Sequence, residues 1–537
     1  MIWRSLILAF IVGHAHTRYV WSDHLYDELE HLLVDQQGFN SGANIKRAIE
    51  PCTNYVNGPQ TLGRTTAAQW LRVAFHDFST ADVAAGTGGL DASIGWETER
   101  EENDGSAFND TLSFFAPFVN RHVSMADMIA LGVVTSIGSC SSPSIHVPLR
   151  GGRIDATEGG AFGVPAPETD IQTTLNQFAQ AGFNQQDSIA LTACGHTLGS
   201  VHHAGFPQVV GPEAVTPNNT GGGEHFDSTL DVVNEYLEGT GKRGGPLVTT
   251  DNVTVRSDLR LYESDNNATM RGLSNSTEYF VSRCISLMAR MLDTVPSSTV
   301  LSDVISPVDV KPVNVSLDLM EDESGQHILF SGFIRVMSRR TSVIDLVVRI
   351  SWLDRTGRSS PVFVTEAKYD AAVQKGSGMF GDTFFHVFNT SIDPSLGISF
   401  FNVTVNDPTT NQSDVSADIV SGYPIEDRVF LMKSRSTMDD EGNADVTAAV
   451  LSSSSQTIRN VSATFSFPTP QIGTMSPSIS TLSLQLTSLK STDSGYAVFN
   501  ASTQLPSGIP NAYQITVDVA ASLGDEEITD TFRRIKS

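Results

Sequence analysis

Basic residues are scarce in this chain: 34 lysines and arginines stand against 60 aspartates and glutamates, a formal net charge of −26. An acid excess of that size excludes nucleic acid and anionic membranes as electrostatic partners and suits a soluble exported protein. Cysteine is scarcer still. Cys52, Cys140, Cys194 and Cys284 are the only four, all before residue 285, and they permit two disulfides in three pairings. After the N-terminus no apolar run is long enough to read as a membrane span.

What is present at the N-terminus reads as a secretory signal over residues 1–17. Arg4 precedes the apolar run Ser5 to Val12, and Gly13, Ala15 and Thr17 offer small residues for cleavage. N-x-Ser/Thr sequons stand at Asn109, Asn218, Asn252, Asn267, Asn275, Asn314, Asn389, Asn402, Asn411, Asn460 and Asn500. So many on one chain predict a glycosylated, extracellular protein.

At 537 residues the chain is too long for one ordinary core, which predicts two or three domains. Residues 24–295 carry helical periodicity broken by glycine-rich loops. Thr65 to Phe78 places Trp70, Leu71, Ala74, Phe75 and Phe78 at helical spacing. Asp187 or Ser188 is the expected cap of a second helix through Ile189, Leu191 and His196, and Ser276 to Thr294 predicts a third. Beyond about Ser306 the period changes to two: Phe401, Val403 and Val405 alternate with polar residues, as do Val461, Ala463, Phe465 and Phe467. Leu482, Leu484 and Leu486 repeat it, then Tyr513, Ile515, Val517 and Val519. The expected layout is a helical domain over 18–306 and two β-sandwich-like domains, 307–425 and 426–537, divided near Tyr423 to Arg428.

Chemistry concentrates in two segments of the helical part. In Arg72-Val73-Ala74-Phe75-His76-Asp77, Arg72 and His76 are four residues apart and share one helix face, while Asp77 points about 100° further round. A neutral histidine beside a fixed cation suits peroxide heterolysis: the imidazole moves a proton and the cation stabilises charge on the departing oxygen. Gly88-Gly89-Leu90-Asp91-Ala92-Ser93 is a glycine-rich turn whose oxygen donors suit a hard cation such as calcium, with Asp77 as a further ligand. The side-chain carbonyl of Asn103 is the expected partner that orients His76.

The second segment is Ala193-Cys194-Gly195-His196-Thr197. Downstream, Phe226 to Asn234 supplies Asp227, Thr229, the Val232 carbonyl and Asn234, which with Thr197 predict a second oxygen-rich cation site. Asp258 is placed to accept a hydrogen bond from the ring of His196. Both halves repeat one device, a histidine toward a shared centre and the next residue toward a cation.

As an ordered set, R-x-x-F-H-D, G-x-D-x-S, Leu149-Arg150-Gly151-Gly152-Arg153-Ile154-Asp155, G-H-T, F-D-S-T and Ser257-Asp258 resemble the haem peroxidases of the plant, fungal and bacterial superfamily, especially the secreted fungal class II type. The resemblance covers about residues 50 to 300. It implies an all-α domain, haem b, two structural calcium ions and hydrogen peroxide as oxidant. By that resemblance Arg72 and His76 are the distal catalytic pair, Asn103 orients His76, Phe75 lies at the haem, and Asp258 supports the iron ligand His196. One calcium would be held by Asp77, Gly89, Asp91 and Ser93. A second would be held by Thr197, Asp227, Thr229, Val232 and Asn234.

Departures narrow the expected substrate. Manganese peroxidases carry acidic residues where this chain has Arg64, Ala68 and Gly199, and lignin peroxidases a surface tryptophan where it has Leu191. Asn234 replaces a more usual aspartate and removes a charge from the second calcium site. Cysteines are fewer than class II usually carries; the resemblance pairs Cys52 with Cys140, and Cys194 with Cys284. The expectation is a secreted peroxidase that oxidises small phenol-like donors by one-electron steps, with no manganese site. The rival is a surface or matrix protein with a catalytically idle haem domain. The β-rich region lies outside the resemblance and is a candidate for carbohydrate or protein contact.

Overall fold

The computed structural model describes residues 21, 23–42, 44–52, 65–141, 145–226, 245–323, 325–337, 346–370, 374–407, 412–415, 422–452, 457–491, 494–506 and 514–535. The signal-like segment 1–17, Arg64, Asn411, Tyr513 and the stretch holding Asp227, Thr229, Val232 and Asn234 lie outside these residues. Among those described, the helices are α1 (His24–Val34), α2 (Ile45–Ile49), α3 (Thr66–Phe78), α4 (Ala107–Phe115), α5 (Met125–Ser139) and α6 (Ile171–Gln180). They continue as α7 (Gln185–Gly195), α8 (Pro246–Thr249), α9 (Ser257–Glu263), α10 (Ala268–Leu273) and α11 (Thr277–Leu292). None of them is long and apolar enough to cross a membrane.

The helical part is organised around α5, which is apolar on all sides and buried almost throughout. Ser124 caps its start by accepting from the Asp127 N–H at 3.0 Å. Asp155 accepts from the N–H groups of Met125 and Ala126 at 3.0 and 2.9 Å, which ties the Leu149–Asp155 segment to the same helix end. Helix α3 packs beside α5 and buries Trp70, Val73, Ala74 and Phe78, while Arg72 and Phe75 are half-buried.

Helix α7 starts earlier than its sequence suggests. Asn184, not Asp187 or Ser188, is the cap: it accepts from the Asp187 N–H at 2.9 Å, and the Asp187 carboxylate reaches back to the Asn184 N–H. Asp187 also binds Arg283 and Arg290 of α11, which places it inside the first turn. The helix ends at Gly195, so His196 occupies its C-terminal boundary. Ser276 caps α11, whose last residue is Leu292. Cys52 bonds Cys140, and Cys194 of α7 bonds Cys284 of α11, with Cα separations of 5.7 and 5.5 Å. This is the pairing that the resemblance implies.

From residue 310 onward the chain is β-structured, in two pairs of sheets. The first pair uses strands between Val310 and Pro424, the second strands between Val429 and Arg533. Among the described residues strand pairing is antiparallel, in keeping with the alternating patterns. Phe330, beside Phe388 of its own sheet, meets Trp352 and Phe401 from the other, in the first sandwich core. Val446, Val450, Phe465, Val517 and Val519 fill the second. Asn402 sits on the half-buried face between buried Phe401 and Val403.

The helices and the first sandwich share one continuous hydrophobic core that also takes in Phe430, Met432, Ala449, Tyr496 and Val498 of the second sandwich, which has a further core of its own. Two features join the helices to the first sandwich. Residues Gln37–Gly38, between α1 and α2, add a strand to the edge of the first β-sheet by pairing with Lys375–Gly378. In addition, Glu30 and Asp35 at the end of α1 are buried against Lys311 and Arg335. Neither is legible in the sequence, since each depends on partners about 300 residues away.

Candidate active site

The two histidine segments converge on one cavity of about 670 Å³, within the range of small-molecule and cofactor sites. His76 and Arg72 of α3 line it, as do His196, at the end of α7, and Asp258 of α9. The rest of the wall is largely apolar, with Phe75, Leu191, Phe226, Leu261 and Met288 among its side chains.

On the α3 side, the ring orientation is fixed by a relay that determines the proton position. Asn103 is fully buried and its side-chain N–H donates to the Glu97 carbonyl at 2.9 Å. That sets its side-chain oxygen as the acceptor facing His76 Nδ1 at 2.7 Å. Nδ1 therefore carries the proton, and Nε2 is left as a base. Burial, then the charge of Arg72, pushes the His76 pKa down to about 3, against a smaller upward pull from Asn103. The imidazole is neutral near neutral pH. Arg72 donates from both terminal nitrogens to the Asp104 carbonyl at 3.2 Å. Its guanidinium lies 4.7 Å from the Phe108 ring centre, and the same ring packs against His76.

On the opposite side, Asp258 Oδ2 lies 2.6 Å from His196 Nδ1. A carboxylate accepts, so Nδ1 holds the proton and Nε2 carries a free lone pair. The Phe226 ring stacks on His196 at 4.0 Å and 3°, which holds the imidazole plane. Asp258 lies in the first turn of a helix and is 3 % exposed. Sequence spacing supplied all of these polar residues except Glu97 and Asp104, which act through their backbone carbonyls. Phe108 and Phe226 were also missed, because an aromatic side chain carries no sequence mark of which ring it will touch.

The residues of the first expected cation site lie close together, and their polar groups are engaged by one another and by the backbone. Asp77 accepts from the Ala92 N–H at 2.8 Å, the Ile94 N–H at 3.0 Å and the Ser93 hydroxyl at 3.3 Å. Asp91 accepts from the Ser93 N–H at 3.1 Å, and the Gly89 carbonyl from the Asp91 N–H at 2.9 Å. Burial, then the nearby Asp91 charge, raises the pKa of the Asp77 carboxyl well above its usual range. Two buried carboxylates in repulsion, with a hydroxyl and carbonyls around them, are the donor chemistry of a hard divalent cation. Among the described residues no group of three or more His, Cys, Asp or Glu side chains gathers as a metal cluster. Of the second expected site only Thr197 is described; its hydroxyl donates to the Cys194 carbonyl at 2.8 Å.

Two positions that would carry acidic residues in manganese peroxidases do meet in space. A Cβ placed on Gly199 would lie 2.6 Å from that of Ala68. Neither residue has a side-chain oxygen. Leu191 is buried in the cavity wall rather than set on the surface.

Residues 53–271 match the peroxidase family model. A WSC domain-containing protein of Arthroderma benhamiae is 38% identical over 392 residues, 71% of this chain and 52% of that protein. An alignment of that length extends past the helices into the β-rich region. Peroxidase 36 of Arabidopsis thaliana is 31% identical over 250 residues, covering 44% of this chain and 67% of its own. L-ascorbate peroxidase 5, peroxisomal, from the same plant is 30% identical over 141 residues, 26% of this chain and 50% of that one. The chain spans about half the length of several curated relatives it matches. Family match, paired histidines and shared cavity agree: this chain belongs to the peroxidase family, through a helical domain followed by a β-rich C-terminal region.

Proposed function

We propose that this chain is a secreted, glycosylated haem peroxidase of the fungal class II kind that reduces hydrogen peroxide with electrons from small phenol-like donors. The observation that carries this reading is the pair of histidines lining one cavity, each with Nδ1 engaged and Nε2 left for the interior. The donor set fits a haem: a carboxylate-supported imidazole on one wall, an imidazole–guanidinium pair on the other, and apolar walls between. His196 would hold the iron, in a cavity that Phe75 and Phe226 help to line; when bound, the haem would supply the redox chemistry.

The protein's own contribution is proton handling and charge. His76 accepts a proton at Nε2 from the nearer peroxide oxygen and returns it to the departing one. Arg72, held by the Asp104 carbonyl and the Phe108 face, stabilises negative charge on that oxygen. Asp258 keeps Nδ1 of His196 protonated and increases the electron-donating character of Nε2. Overall, two phenol-like donors would each supply one electron and one proton, converting hydrogen peroxide to two waters.

Calcium at Asp77, Gly89, Asp91 and Ser93 belongs to the same proposal, supported by the repulsion between the two buried carboxylates. A second ion at Thr197 with Asp227, Thr229, Val232 and Asn234 rests on sequence alone. Export is supported by the sequons: none of the ten described asparagines is buried. The decisive experiment is purification of the full chain with haem, followed by absorption spectroscopy and rapid mixing with hydrogen peroxide across phenols, dyes and Mn(II). A Soret band that changes on mixing, with phenol oxidation following, is expected. A haem-loaded protein inert to peroxide would favour the idle-haem binding protein instead, a reading that the name of the Arthroderma relative keeps open.

A further inference from the structure

The second β-sandwich does not hang free of the helical domain. Its loop between Ile458–Thr469 and Ser478–Gln485 rests on the short turn Ser93–Trp96 beside the distal histidine. The Met475 N–H donates to the Gly95 carbonyl at 3.1 Å. A Cβ on Gly95 would stand 2.7 Å from the Thr474 hydroxyl and 2.8 Å from that of Ser476, a spacing no side chain tolerates without a shift. Ser476 is 2 % exposed, and its N–H donates to the Thr474 hydroxyl at 3.2 Å, so the loop is closed on itself around Gly95. Gly473 in turn lies over the Trp96 ring.

Gly95 lies between the two residues that restrain His76. One position before it, the Ile94 N–H holds Asp77, the neighbour of His76 on α3. Two positions after it, the Glu97 carbonyl fixes Asn103, and Asn103 fixes the His76 ring. A second contact reaches the same wall: Gln514 donates to the Ala116 carbonyl at 2.8 Å, at the end of the helix that carries Phe108 against His76.

We propose that the loop Thr474–Ser476 is a positioning element for the distal histidine, so that the C-terminal sandwich sets peroxide reactivity from outside the peroxidase domain. The loop clamps Gly95, the clamp fixes Ile94 and Glu97, and these fix the helix and ring of His76. Its effect on turnover rests on the peroxidase reading above; its effect on the ring does not.

The test is Gly95→Val in the full chain, whose branched side chain meets both hydroxyls at once, with Gly95→Val/Thr474→Ala/Ser476→Ala as the rescue. In protein labelled with ¹⁵N-histidine, the hydrogen-bonded Nδ1–H of His76 is expected to give a protected downfield signal. Gly95→Val should lose or shift that signal, and the triple variant should restore it. The rate constant with peroxide should fall about tenfold in Gly95→Val and recover in the triple variant, while the rate constant with donor stays the same. An unchanged His76 signal in Gly95→Val overturns the proposal, and so does failure of the triple variant to restore a signal lost in Gly95→Val. A wild-type protein with the expected His76 signal but no peroxide reaction overturns the peroxidase reading alone.

Discussion

Arg335, on the second long strand of the β-rich region, forms a fully buried ion pair with Glu30 of the first helix, 305 residues earlier. Its terminal nitrogens also reach Asp35 at 3.1 Å and the Val308 carbonyl at 3.0 Å, and Lys311 reaches Glu30 at 2.8 Å. Burial alone would raise the Glu30 carboxyl, yet Arg335 and Lys311 hold its pKa at about 2. Two cations, Lys311 and Arg335, thus face Glu30, Asp35 and Asp27, the last 3.0 Å from Lys311, where the helical part meets the first sandwich.

Removing one member leaves charge buried without a counterion. Arg335→Ala is expected to cost about 3–5 kcal/mol. Differential scanning calorimetry of the full chain should show the helical domain and first sandwich melting earlier together, because they share one core. An unchanged melting profile would show the cluster contributes nothing to joining them.

His76→Ala is expected to keep haem while its reaction with peroxide slows by about 10²–10⁴-fold, the usual contribution of a positioned base. Asn103→Ala should slow it less, since the ring loses only its orienting acceptor. Rapid mixing measures both, and wild-type rates in His76→Ala would remove it from the role of base. His196→Ala should lose haem or its axial ligation, read from the Soret band.

Stability should fall on acidification in a defined window. Burial lowers the pKa of His386 to about 4, and burial first with His24 second does the same for His122. Their pKa in the unfolded chain is near 6.5, so below that value the unfolded state binds more protons than the folded one. The folded state keeps its full margin above about pH 6.5 and loses it progressively toward pH 4. His386 is 1 % exposed and its Nε2 has no hydrogen-bond partner. His386→Leu should therefore flatten the profile, measured as urea midpoints between pH 7 and pH 4.

Donor charge should matter at the cavity. Glu101, Glu102, Asp104 and Glu168 line it, on a chain of net charge −26. Neutral phenols are expected to be oxidised faster than the ascorbate anion, and added salt should raise the ascorbate rate by screening. A faster ascorbate rate at low salt would refute this ordering.

Calcium removal offers a check on the turn beside α3. Chelation should expose the repulsion between Asp77 and Asp91 and lower thermal stability, and Asp91→Asn should reduce that sensitivity. Equal melting temperatures with and without chelator would argue against an ion there.

The sequence by itself determined the chemistry-bearing residues and the change of period. Arg72, His76, Asn103, His196 and Asp258 follow from short segments whose helical or turn geometry is local. The alternation beyond Ser306 likewise fixes which face of each strand is buried. Only the tertiary structure decided what depends on distant partners. It showed Asn184 as the cap of α7, with Asp187 in the first turn binding two arginines of α11. It placed Phe226 on His196, paired Gln37–Gly38 with a strand more than 300 residues later, and seated the loop around Met475 on Gly95. Contacts of this kind are set by packing and by buried charge seeking a counterion, and neither leaves a periodic trace in the chain.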